Sequence, residues 1–394
     1  MASTRRDASI DIIRGLCIAS MVIGHIAPQS VLHKVTHVPL WIDGATGFVL
    51  LAGLVLGMVQ ARVATSRRGL AKLGRRALLV YTAHVALVTF AIACAPWDRM
   101  APFSPPPAAA LGGWRSALWQ TLTLRINPIN IYMLSLYVVL FAVAGVAVLL
   151  LRRGHPWALA AASAAVYASG FWTPAGWATL PQMRGVESFF DLAAWQALFV
   201  SGLLVGWYWR HERVARAFRS RRVAAGAGLA VVVTCTAAQL VVRVKVLAPW
   251  RGVDDLVAAA FEKSTMAPGR LLLGWCAFTA LYYLLRQRPS GTALRLLTPA
   301  FGRVGRRSLD AFVLLAISDV LLAAVAPYRE AGPAGMAWAG AVYLVIWWWA
   351  GLRDAGWWAG ARAFVARRAA PAPSETVQAP TSSTASPAAS SASS

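Results

Sequence analysis

Residues 10–32 read IDIIRGLCIASMVIGHIAPQSVL, an apolar run interrupted by Asp11, Arg14 and His25. A helix needs about 20 apolar residues to cross hydrocarbon. An ionisable side chain inside such a segment is costly, and by default it marks a functional site. At 100° per residue, the steps from Arg14 to His25 fall within about 20° of whole turns, and those from Asp11 to His25 within about 40°. The three groups therefore share one helix face, with His25 about 16 Å along the axis from Arg14. Asp11 and Arg14 are spaced to pair. So narrow a polar stripe has to face a bundle interior or a wet cavity, not lipid. An imidazole titrates near neutral pH and suits a general base, and His25 is expected in the outer half of the membrane. The competing reading makes Asp11 and Arg14 an interfacial anchor and His25 a hydrogen-bonded packing residue.

The rest of the chain has the same character. Its 394 residues are 58% hydrophobic and only 13% charged, with a net charge of +23. Soluble domains carry roughly 25% charged residues, so a water-soluble globule, a disordered chain and a secreted disulfide scaffold are excluded. The positive charge lies in short clusters between apolar runs and forms no basic face, so no nucleic-acid partner is expected. Ten segments are predicted to span as helices: about 10–32, 44–61, 77–95, 131–151, 156–172, 192–209, 223–242, 266–285, 308–326 and 336–352. The fold class is all-α, a polytopic integral membrane protein in a lipid bilayer. Lys and Arg concentrate in alternate loops, beginning with Arg5 and Arg6, which predicts both termini on the cytoplasmic side. Arg14 breaks the first apolar run and argues against a cleaved signal peptide. Residues 1–368 read as the transmembrane domain. Residues 369–394, rich in Ala, Ser and Pro, read as a disordered cytoplasmic tail. Cys17, Cys94, Cys235 and Cys276 have no ligand spacing, and neither a disulfide framework nor a metal site is expected.

Further polar groups carry two readings each. Asp43 opens the second segment and either orients the His25 imidazole, binds a hydroxyl, or caps the helix. Gly44, Ala45, Gly47, Ala52, Gly53 and Gly57 allow close helix approach. The basic run Arg67-Arg68…Lys72…Arg75-Arg76 satisfies the positive-inside rule, and as fixed cations it also suits a polyphosphate. His84 is a second intramembrane histidine, either one step of a path across the membrane or a proton-relay group in a transporter. Asp310 and Asp319 lie on opposite faces of the ninth segment and are not expected to form one dyad. Asp191, Gln196, Lys263 and Arg270 fall at outer segment ends, where capping or snorkelling is the common role. Trp97, Trp114, Trp119 and Trp250 fit interfacial anchors or sugar contacts.

Arg14-x10-His25 followed by Lys72-x2-Arg75 resembles the acyltransferase-3 superfamily. Several further stretches resemble the OpgC family of osmoregulated periplasmic glucan succinyltransferases: Arg6-Asp7…Asp11-Ile-Ile-Arg14-Gly15 with His25-Ile26, Asp43-Gly-Ala through Ala52-Gly53, and Arg75-Arg76…Tyr81-Thr-Ala-His84. Asn127-Pro128 with Leu136-Tyr137, Ala194-Trp195-Gln196 through Phe199 and Gly202, Lys263…Arg270-Leu, and Gly302-Arg303…Ser308-Leu309…Phe312 continue the likeness. The resemblance implies an acyl-CoA donor used from the cytoplasm, with no bound cofactor, and an extracytoplasmic carbohydrate hydroxyl as acceptor. It implies a multi-pass protein of the inner (cytoplasmic) membrane. It makes His25 the essential histidine with Arg14 its partner, and Lys72 and Arg75 the CoA-phosphate contacts. Arg76 is read as a further cation of that site and Asp11 as the residue that holds the helix face with Arg14, while His25 acts as general base on the acceptor hydroxyl or itself carries the acyl group. Asp43, His84, Asn127, Trp195, Gln196, Lys263 and Arg270 are then candidate substrate-binding residues, Gln196 with its amide offered to a tetrahedral oxyanion. Ala52, Thr46 and Ser135 depart from the family pattern and bear on acceptor and acyl choice. The alternative from another class is a transporter or flippase for an acylated or lipid-linked envelope precursor, with His25 and His84 as proton carriers.

Overall fold

Asp7 begins the first helix by accepting the Ser9 backbone N–H on its carboxylate, a standard N-cap that satisfies an otherwise orphaned donor. The helix, α1, runs Ala8–Ile26 and stops before Pro28, which cannot supply the N–H needed to continue it. The predicted segment 10–32 is therefore shorter at its far end, and Val31–Thr36 forms a separate turn of helix. The other predicted segments are α2 (Gly44–Arg62), α3 (Arg67–Cys94), α4 (Tyr132–Arg152), α5 (Pro156–Trp172) and α6 (Leu192–Trp207). They continue as α7 (Arg221–Ala238), α8 (Pro268–Gln287), α9 (Ser308–Val325) and α10 (Pro333–Asp354). The structure, a computed structural model, describes residues 7–36, 42–63, 67–97, 105–128, 131–172, 191–240, 252–287, 292–325 and 332–356.

No strand occurs among the described residues. Six of their helices are long and apolar enough to cross a bilayer, and a seventh span arises if α6 is joined to Glu212–Arg219, from which it is bent by 109°. The chain divides into two units, Met1–Gly351 and Leu352–Ser394. The expected tail at 369–394, the basic pair Arg5 and Arg6, and Trp250 lie outside the described residues.

Close backbone approach holds the bundle together. Gly53 and Gly57 of α2 press on the carbonyls of Phe199 and Leu203, while Gly202 and Gly206 of α6 press on those of Leu50 and Leu54. Two reciprocal small-xxx-small faces thus pack with no side chain between them, as helices do where no hydrophobic driving force exists. Of the small residues read from α2, Gly53 and Gly57 serve this contact, whereas Gly44 and Gly47 pack against Cys17 of α1. At the start of α1, Gly15 meets the Phe301 carbonyl and Gly305 meets the Asp11 carbonyl. Both partners lie on the broken helical stretch 298–306, a π-helical turn followed by Arg303–Arg306. Asp7 is fixed further by the Tyr282 hydroxyl at 2.8 Å, which in turn accepts from Arg286 at 2.7 Å.

Candidate functional site: two polar tiers between α1 and α9

The polar face of α1 points into the bundle. Asp11 and Arg14 are buried, and His25 keeps a quarter of its side chain accessible. Arg14 Nη2 donates to Ser308 Oγ on α9. About three turns along, His25 Nδ1 lies 2.7 Å from Oδ2 of Asp319, also on α9 and fully buried. Both pairs are separated by 294 residues in sequence, so α1 and α9 run parallel and in register. The spacing of Arg14 and His25 is matched by that of Ser308 and Asp319. The imidazole is thus oriented by Asp319, not by Asp43.

In the Nδ1–H tautomer the imidazole donates to the Asp319 carboxylate and carries its lone pair on Nε2. No described residue hydrogen-bonds to Nε2. The arrangement is that of a base held by a carboxylate.

Asp43 falls short of the imidazole because α2 begins about a turn lower. Gly44 packs against the Cys17 carbonyl and Met21, below the level of His25. The Asp43 carboxylate caps α2 through the Thr46 N–H and hydroxyl, both at 2.8 Å. It also meets Lys263 at 2.8 Å and Arg270 at 3.3 Å. Burial by itself would raise the Asp43 carboxyl, but the Lys263 and Arg270 cations together with the Thr46 N–H outweigh it and hold the group well below the usual carboxylate range. Three candidate binding residues are therefore brought together, and Trp195 joins them by donating Nε1–H to the Lys263 carbonyl at 3.2 Å.

Gln196 is engaged elsewhere. Its Oε1 accepts from Ser163 at 2.8 Å, and its Nε2 donates to the carbonyls of Ser163 and Ala193. An amide so committed knots α5 to α6. Asn127 is buried and donates to the Leu124 carbonyl at 2.7 Å, tying a loop together. His84 is fully buried, and neither ring nitrogen has a hydrogen-bond partner among the described residues. It forms no proton chain with His25 there, and the transporter reading receives no support.

Two large cavities flank α1. One, about 440 Å³, is lined by Lys72, Arg75 and Arg76 at the basic stretch of α3 and reaches Arg14, Tyr137 and Ser308. The three α3 cations are exposed. The basic loop and the lower polar tier thus share one cavity. The other, about 610 Å³, lies on the opposite face of α1 against α2, α8 and α10 and is almost wholly apolar, with Asp43 in its wall.

The model of one protein family, described as OpgC protein, matches residues 6–360. The chain belongs to the OpgC family. Searches of curated proteins and of solved structures gave no match. OpgC family membership suggests an acyltransferase acting on glucans, and with the apolar helices it suggests a membrane protein.

In this OpgC family member the upper tier does not open into the basic cavity, since His25 is absent from its lining. Between the tiers, α1 contributes Ile18 and Met21 and α9 contributes Phe312 and Leu315, all buried and on the same faces as the polar pairs. An apolar layer separates Arg14–Ser308 from His25–Asp319. Asp319 and Ser308 were the residues that sequence reasoning did not assign, although the repeat of one spacing in two helices was visible.

Proposed function

We propose that this protein is a membrane O-acyltransferase of the acyltransferase-3 superfamily, with ten spanning helices and both termini cytoplasmic, in the inner membrane. It takes an acyl group, succinyl in the family's manner, from cytoplasmic acyl-CoA and places it on a hydroxyl of an extracytoplasmic glucan. The observation that carries this reading is the contact of His25 Nδ1 with the buried Asp319 carboxylate.

In the proposed reaction, His25 Nε2 takes the proton of the acceptor hydroxyl as that oxygen attacks the thioester carbonyl. The C–S bond breaks, and the departing CoA thiolate takes the proton back from the imidazolium. Asp319 stabilises the ring while it is charged. Lys72, Arg75 and Arg76 hold the donor's phosphates at the inner rim. We assign Asp43, Lys263, Arg270 and Trp195 to binding of the acceptor. The acyl group has to pass the layer of Ile18, Met21, Phe312 and Leu315, so opening that layer belongs to the catalytic cycle.

The test is the His25→Ala protein, purified and given acyl-CoA with an envelope glucan. Acceptor-dependent CoA release should fall by about 10²–10⁴-fold while the protein remains at wild-type level in the membrane. Undiminished glucan acylation by mass spectrometry would remove the mechanism.

A further inference from the structure

Two buried polar atoms on residues that line the cavity joining the basic stretch of α3 to Arg14 have no hydrogen-bond partner among the described residues. Gln60 Nε2 donates to the Gly69 carbonyl at 3.1 Å, which fixes the orientation of the amide. Its Oε1 faces no hydrogen-bond donor among the described residues, and the same holds for the Tyr137 hydroxyl. Buried polar atoms are nearly always satisfied, and an orphan calls for an explanation such as a functional role. Both residues line the same 440 Å³ space.

That space is a slot along one face of α2. Its lining on this helix runs from Phe48 to Gln60 at helical spacing, a length of about 18 Å. Gln60 stands at the end with the α3 cations. Phe48 stands at the other end, its ring edge-on to Tyr137 at 5.7 Å between centroids. Between them the α2 wall is apolar.

The arm of coenzyme A has matching dimensions and chemistry. From its pyrophosphate oxygen to its sulfur it spans the bond count of four extended residues, about 14 Å. It is largely aliphatic and carries two amides, each with a donor and an acceptor. Resting on the acyl-CoA reading above, we propose that the slot holds this arm, with Gln60 Oε1 accepting an amide N–H near the phosphates and Tyr137 donating its hydroxyl to a carbonyl at the deep end. The thioester then lies beside Arg14 and Ser308, below the apolar layer, and the donor is recognised by its arm as well as by its phosphates.

The experiment measures binding of CoA, and of ADP bearing a 3′-phosphate as the armless control, to the full chain in lipid nanodiscs. Wild type should bind CoA more tightly than the armless nucleotide. Gln60→Met and Tyr137→Phe should each weaken CoA by about three- to tenfold and leave the armless nucleotide unchanged. Lys72→Ala combined with Arg75→Ala should weaken both ligands. Because the Tyr137 hydroxyl has no hydrogen-bond partner among the described residues, Tyr137→Phe should not lower the melting temperature of the protein without CoA, yet it should shrink the increase that CoA produces.

Unchanged CoA affinity in both single variants overturns the proposal. So does equal weakening of the two ligands, or a lower melting temperature of ligand-free Tyr137→Phe. Equal wild-type affinity for CoA and the armless nucleotide also sinks it while sparing the phosphate site. A wild type that binds neither ligand sinks the acyl-CoA reading along with it.

Discussion

Asp319→Asn separates a catalytic dyad from a merely structural contact. The wild-type pair is a hydrogen bond between an imidazole and a fully buried carboxylate at 2.7 Å. Bonds to charged groups contribute about 1.5–3 kcal/mol and neutral ones about 0.5–1.5, so the exchange removes about 1–2 kcal/mol of imidazolium stabilisation. That alone slows proton abstraction by about 5–30-fold. The asparagine amide also offers N–H groups to Nδ1, which drives the ring proton to Nε2 and blocks the base. In a Ser-His-Asp triad this same exchange costs about 10⁴ in kcat. The expected loss here is about 10³-fold in kcat, with the KM for acyl-CoA unchanged because the cavity lined by Lys72, Arg75 and Arg76 does not include Asp319. Asp319→Ala leaves the tautomer free and should be the less impaired of the two variants, despite its larger loss of packing. The assay is acceptor-dependent CoA release under saturating donor, alongside thermal unfolding to confirm that both proteins are folded. If Asp319→Asn retains most of its activity while Asp319→Ala loses it, the carboxylate only packs the helix and the base mechanism is refuted.

Lys72→Ala with Arg75→Ala should raise the KM for acyl-CoA with little change in kcat. The wild-type KM should itself rise with ionic strength, since exposed cations are screened; a salt-independent KM would contradict phosphate docking there. Gly305→Ala places a methyl group onto the Asp11 backbone carbonyl, and with neither side flexible it should prevent stable accumulation in the membrane, read by detergent-resistant gel filtration. Asp43 has its folded-state carboxyl held below the unfolded value. Its contribution to stability is therefore fully present above the ordinary carboxylate range and is lost as pH falls through the lower folded value. Asp43→Asn should accordingly lower the melting temperature at neutral pH and still do so near pH 5, with the gap from wild type closing only at more acidic pH. A gap that closes already between pH 7 and 5 would mean another group is responsible.

The sequence by itself determined the helices and one polar face. Hydrocarbon thickness sets the length of an apolar run, and the steady 100° turn aligns Asp11, Arg14 and His25, so both could be read without knowing any neighbour. It also carried the α2 glycines, because an absent side chain is as visible in sequence as in space. What lay across from those groups was decided only by tertiary structure. In sequence Asp319 is an acid on the helix face opposite Asp310, and its imidazole partner appears only when α9 lies parallel to α1 in one register. Asp43 is a candidate to orient His25, yet Gly44 seats α2 against Cys17 and Met21, and Lys263 and Arg270 take the carboxylate. Gln196 looked available until Ser163 occupied its amide. Periodicity fixes the direction of a side chain around its own helix axis, whereas a partner hundreds of residues away depends on the crossing and axial offset of two helices, which backbone packing at a few glycines settles.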